Sequence, residues 1–248
     1  MKKSILLLFV LFSVFNLSAQ KQTTYSVKLG ATYSGMYGSD IDNLFNVGGT
    51  VSFIPSPGIV VGGAINFIEP IFEKHQPIIH SYSGSKFEVL YFENGFNLES
   101  DAYNAQSGDN LGFSIVQNIK QSNIRLTGQS YFRLSPTFYI GGGLYTSFLL
   151  SKNQNVTSEI PTGFFFIPAP MNEYAKNRFD LGTMISFKYM LTDNLSWEAR
   201  ASTGFLPWNK IEEVPGVSDA YWTKAYNISL SSSVSYYFGK LRYKDTWR

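Results

Sequence analysis

The stretch "FYIGGGLYTSFLLS", Phe138–Ser151, separates into two alternating sets of residues. Phe138, Ile140, Gly142, Leu144, Thr146, Phe148 and Leu150 are mostly apolar, whereas Tyr139, Gly141, Gly143, Tyr145, Ser147, Leu149 and Ser151 are smaller or more polar. A repeat of two is that of a β-strand with two unlike faces. At about 14 residues it is well over the usual 5–6 of a soluble sheet. The fold turns on what solvent the apolar face meets.

The start of the chain narrows the choice. "MKKSILLLFVLFSVFNLSAQ" (residues 1–20) carries Lys2 and Lys3, an apolar run from Ile5 to Phe15, then small and polar residues. That order is the one found in a secretory signal, with cleavage expected after Ala19 or Gln20. A retained helical anchor needs an apolar run roughly twice as long. The chain has no cysteine, which excludes a lipidated cysteine and a disulfide framework. Residues 21–248 are then expected to form one exported domain, a size at which all-β barrels are single units.

Composition agrees with an apolar surrounding. Only 15% of residues are charged and 17% are aromatic, against a usual charged share of about 25%. A net charge of +2 points to no nucleic acid or other polyanionic partner.

No run of 18 apolar residues follows the signal, but alternating segments recur, separated by turn residues. The sequence predicts eight: Tyr25–Tyr37, Phe45–Ile54, Ile59–Ile68, Ile124–Leu134, Phe138–Ser151, Phe179–Leu191, Leu195–Phe205 and Tyr226–Phe238. "PSPG" (Pro55–Gly58), "SPT" (Ser135–Thr137) and "TDN" (Thr192–Asn194) read as tight turns, and the other connections are longer. None of the eight apolar faces carries a charge. Lys28, Arg125, Arg133, Lys188, Glu198 and Arg200 all fall on the opposite faces, as does Asp180.

Periodicity alone leaves two solutions. In a soluble ligand-binding barrel the apolar face lines a cavity, whereas in a transmembrane barrel it meets lipid. Three features favour lipid. Charges of both signs, such as Glu198 and Arg200, suit a narrow polar lumen better than an apolar cavity. Aromatics mark the ends of the apolar faces, with Tyr25, Phe53, Phe132, Phe138, Tyr189, Trp197, Tyr236 and Phe238 expected as one girdle. Phe45, Phe148, Phe179 and Phe205 lie toward the other ends. Short turns alternate with long loops, as in outer-membrane barrels, where the short turns and both termini are periplasmic.

The signal ending in "SAQ", the pairs "SYFRLSPTFYIGGGLYTSFLLSKN" and "NRFDLGTMISFKYMLTDNLSWEARASTGF", and the closing "ISLSSSVSYYFGK" resemble the outer-membrane β-barrels of Bacteroidota, the PorT-like or porin-family small barrels. The resemblance covers most of the chain after the signal and lies in pattern rather than in a catalytic motif. It implies an outer-membrane location and insertion by the barrel-assembly machinery. The tail "GKLRYKDTWR" departs from it, because such chains usually stop near the last aromatic.

Two long loops, about 69–120 and 152–177, are expected to be extracellular. The first contains "SKFEVLYFENGF" and "LGFSIVQNIK", read either as a hairpin extending strands three and four or as two extra staves of a ten-stranded barrel. The second contains Phe164, Phe165 and Phe166, a candidate contact for an envelope or extracellular protein, with a rim or headgroup position as the plainer reading.

Enzyme chemistry finds little support. The two histidines, His75 and His80, lack a serine two positions on, the arrangement of barrel lipid A deacylases. "GGG" (Gly141–Gly143) has no Lys-Ser or Lys-Thr after it and reads as close packing in a barrel wall. Asp40, Asp42 and Asn43 read as a solvated turn rather than a Ca²⁺ site. No metal or cofactor is expected. The expectation is a non-enzymatic, structural, adhesive or accessory outer-membrane protein. A narrow passive channel with weak anion preference is the alternative, and a secreted soluble ligand-binding barrel the third reading.

Overall fold

The computed structural model describes residues 22–38, 51–68, 82–103, 110–135, 137–157, 175–176, 178–207, 209–211, 221–222 and 225–238. Eleven strands occur among them. They are β1 (Gln22–Tyr37), β2 (Val51–Ile68), β3 (Tyr82–Tyr103), β4 (Asn110–Arg133), β5 (Phe138–Thr157), β6 (Ala175–Lys176), β7 (Phe179–Thr192), β8 (Leu195–Gly204), β9 (Asn209–Ile211), β10 (Tyr221–Trp222) and β11 (Tyr226–Phe238).

Eight strands close into an antiparallel barrel in the order β1-β11-β8-β7-β5-β4-β3-β2. The first and last strands seal it, with Tyr25 opposite Phe238 and Tyr37 opposite Tyr226. Closure leaves no unpaired sheet edge along the shared height of the staves, the condition for strands to cross a bilayer. β6, β9 and β10 form a separate small sheet within the long connections.

The barrel has two unlike ends. Gln22, Ile68, Gly84, the 133–138 turn, the 192–195 turn and Phe238 gather at one, the turn end. The connections 38–51, 103–110, 157–175 and 204–226 leave from the other, the loop end.

Burial decides the question of the faces. Leu29 is 66% exposed, Leu144 61% and Val89 56%, all outward; Arg125 and Glu198 are 1% exposed, inside. The apolar face of Phe138–Ser151 is therefore the exterior, and the arrangement of a soluble ligand-binding barrel is reversed.

Eight staves is the expected number, but two of them differ. Phe45–Ile54, "PSPG" and Ile59–Ile68 were expected as strand, turn and strand; Val51–Ile68 is a single stave instead. Pro55 and Pro57 do not turn the chain. They sit at an irregularity between Pro55 and Val60 where the β2–β3 register slips, and a bulge is where a strand tolerates residues with no N–H. The missing stave is β3, inside the span expected to be one extracellular loop (69–120), most of which is wall. Residues 69–81 consequently join β2 to β3 at the turn end. The second expected loop, 152–177, is also shorter, because β5 continues to Thr157.

Candidate functional site

The inward set is polar and titratable, so the lumen is where this chain's chemistry is concentrated. Glu88 and Glu198 sit at its centre. β3 and β8, which carry them, lie four steps apart round the ring in either direction, that is, on opposite walls. Their charges meet in the middle. Arg200 Nη2 lies 2.5 Å from Glu88 Oε2 and 2.7 Å from Glu198 Oε1. Lys86 Nζ lies 2.8 Å from Glu88 and 2.7 Å from Glu198; Lys28 Nζ lies 2.6 Å and 3.0 Å from the same two. Thr127 donates to Glu88 at 2.8 Å, and Arg200 to Gln129 at 3.1 Å. Three cations thus share two carboxylates, each partner held by at least two others.

The six lumen charges expected from the sequence divide into four groups. Lys28, Glu198 and Arg200 belong to this cluster. Arg125 lies toward the loop end, its guanidinium 3.6 Å from the centre of the Phe92 ring and 4.1 Å from that of Tyr145, with Nη1 donating to Ser202 at 3.2 Å. Lys188 lies toward the turn end, its ammonium 4.3 Å from the Tyr131 ring centre, 4.6 Å from Tyr139 and 6.0 Å from Tyr237. Arg133 Nε donates to the Ser135 carbonyl at 3.2 Å, at the turn end. Burial explains the stacking: aromatic faces hold a desolvated cation that is not itself part of the central ion-pair cluster.

Lys86 and Glu88 were not among the expected site residues. The alternation in "SKFEVLY" carried the signal, with Lys86 and Glu88 against Phe87 and Val89. Within the "GGG" run, Gly141 faces inward with no room for a side chain. A Cβ there would stand 2.8 Å from the Tyr131 ring, which supports Lys188.

On the exterior, Tyr25, Phe132, Phe138, Tyr189, Trp197, Tyr236 and Phe238 lie at the turn end. Phe53 does not. Because β2 runs straight through Pro55–Gly58, Phe53 pairs with Leu98 toward the loop end. Phe148 and Phe179 pair at the loop end, with ring centres 5.1 Å apart. Glu93 faces outward at the loop-end edge of the apolar band. It accepts from Tyr91 Oη at 3.0 Å and from the Ile59 amide at 3.3 Å. The expected signal (residues 1–20), Asp40, Asp42, Asn43, Phe45, His75, His80 and Phe164–Phe166 lie outside the described residues, as does the side chain of Phe53.

A closed antiparallel barrel, apolar outside and charged inside, is a transmembrane β-barrel. The chain is similar in fold to Neisserial surface protein A (13% identity, 88% of this chain and 99% of that one, TM-score 0.40). It is similar also to outer membrane protein AlkL (14%, 90% and 93%, TM-score 0.43) and to the outer membrane protease OmpT of Escherichia coli (12%, 89% and 97%, TM-score 0.34). No protein-family model matches the chain, and no curated protein sequence does.

Proposed function

We propose that this chain is a non-enzymatic outer-membrane barrel of the PorT-like kind, with a closed lumen and surface loops as its interaction face. One observation carries the closure: ion pairs between opposite walls, Arg200–Glu88 and Lys86–Glu198, cross the centre of the lumen. An eight-stranded barrel is only wide enough for its own side chains to fill, and these fill it with charges that satisfy one another.

On this reading the turn end and both termini face the periplasm and the loop end faces outward, with the turn-end aromatics as the inner girdle. The expected signal directs export, and the barrel-assembly machinery inserts the chain. Phe164–Phe166 and the neighbouring loops are the proposed contact for an envelope or extracellular partner. The role is structural, adhesive or accessory, without a metal or cofactor.

A narrow passive channel is the second reading. The three cations against two carboxylates at the centre, with Arg125 and Lys188 nearby, would give it a preference for anions.

The test is an outer-membrane fraction run on a denaturing gel with and without boiling. A band that shifts on heating supports the folded transmembrane barrel. A soluble protein with no shift overturns the reading.

A further inference from the structure

Two opposite charges stand on neighbouring staves at the loop-end edge of the apolar band. Glu93 on β3 is opposite Ser122 on β4, and Gly95 is opposite Lys120, so Glu93 and Lys120 are diagonal neighbours. Both face outward, half-buried and exposed respectively, while Asn94, Gln121 and Asn123 beside them are buried in the lumen. Among the described residues neither takes part in an ion pair, with the other or with a third group.

The register sets their height. Tyr91 is opposite Ile124, and Ile124 is opposite Phe148, whose ring meets Phe179 at the loop end. Glu93 lies two residues beyond Tyr91 on its stave, and Lys120 four beyond Ile124. That is the layer of the lipid headgroups, next to an apolar wall that includes exposed Val89 and Leu126.

Glu93 is held in place. Tyr91 Oη donates to its Oε1 at 3.0 Å, with Ser122 Oγ 2.9 Å from the same hydroxyl, and the Ile59 amide donates to Oε2 at 3.3 Å. An ionised carboxylate offers about four acceptor sites, so Glu93 keeps capacity for a cationic donor. Lys120 brings three donors of its own.

Diagonal neighbours stand about 7–8 Å apart, so one small group carrying both charges can reach both side chains. Its complement is an N–H-bearing cation on Glu93 and an anion on Lys120, joined by a short link at headgroup depth. Phosphate and ammonium two carbons apart meet that description. A trimethylated ammonium has no N–H to give the carboxylate, and a glycerol headgroup has no cation.

We propose that Glu93 and Lys120 bind the phosphoethanolamine headgroup of a membrane lipid, ammonium on Glu93 and phosphate on Lys120, with the acyl chains along Val89 and Leu126. The proposal rests on the lipid-facing reading of the exterior and not on which way the loops point.

The test uses the folded barrel in detergent micelles, following the amide resonances of Glu93, Lys120 and Ser122. Dihexanoyl phosphatidylethanolamine, phosphatidylcholine and phosphatidylglycerol are titrated in turn. Phosphatidylethanolamine should move these resonances saturably and bind about three- to tenfold more tightly than the other two. Glu93→Gln and Lys120→Gln should each remove that preference, and free phosphoethanolamine should bind more weakly than the lipid. Equal response to the three lipids, a preference unchanged in both variants, or free phosphoethanolamine binding as tightly as the lipid overturns the proposal. The heat-dependent gel shift of the same samples is read separately. Its absence in the native chain overturns the folded barrel itself, whereas its presence without a lipid preference overturns the headgroup site alone.

Discussion

Arg200 and Glu88 touch across the full width of the barrel, 2.5 Å apart although β8 and β3 lie on opposite walls. A contact of this kind ties walls that no strand pairing joins, and it places charge where a pore would run. Both stability and permeability should therefore respond to the same few residues.

Glu198→Ala leaves Lys28, Lys86 and Arg200 with Glu88 as their sole carboxylate partner. Removing one partner of a buried ionic cluster costs about 3–5 kcal/mol, because the remaining charges stay desolvated. Urea unfolding in lipid vesicles should show a loss of that size. An unchanged midpoint would mean that the cluster is hydrated or rearranges freely.

Lys188 should behave differently. It is held by the rings of Tyr131, Tyr139 and Tyr237, while its register partner Glu198 is ion-paired to Lys28, Lys86 and Arg200. Exchanging it for a flexible apolar chain leaves no charge uncompensated, so Lys188→Met should be neutral or stabilising within about 1 kcal/mol. A loss above about 2 kcal/mol would indicate that the cation–ring contacts outweigh desolvation.

The exterior band has a height that arginine substitutions can map. Val89 faces outward between the turn end and Glu93, while Asn153 lies beyond the band. Val89→Arg should cost about 2–4 kcal/mol and Asn153→Arg about 0–1. Equal costs, from the same unfolding measurement, would place the lipid elsewhere.

Gly141 and Gly142 are adjacent and face opposite ways. Gly141→Val drives a side chain into the Tyr131 ring and should destabilise by about 1–3 kcal/mol. At Gly142, exposed on the outside, the nearest atom to an added Cβ is 3.8 Å away, so Gly142→Val should stay within about 0.5 kcal/mol. Reversed costs would mean that the strand's faces are exchanged.

Six staves were legible because each keeps apolar and polar residues on separate faces, as Tyr226–Phe238 does. β2 and β3 were not, for identifiable reasons. Two prolines with a glycine in "PSPG" are the usual signature of a turn, and only the neighbouring strand shows that they form a bulge. In β3 the alternation fades midway, because Leu90 and Phe92 face inward while Glu93 faces outward. The apolar inward residues fill the lumen around Arg125, and the outward carboxylate finds Tyr91 and the Ile59 amide, so tertiary packing overrides the pattern.

Three of the five charges in the central cluster, Lys28, Glu198 and Arg200, lie on strands that were read from the sequence. Lys86 and Glu88 were lost with β3. Which charges pair was beyond the sequence, since Arg133 and Lys188 alternate as well as Lys28 does. Only closure of the ring shows that β3 faces β8.

The measurement that tests the central claim most directly is ion conductance of the purified barrel in a planar lipid bilayer. A lumen crossed by Arg200–Glu88 and Lys86–Glu198 predicts no steady conductance above the bare bilayer for the native chain. A stable, ohmic, anion-favouring conductance would contradict it.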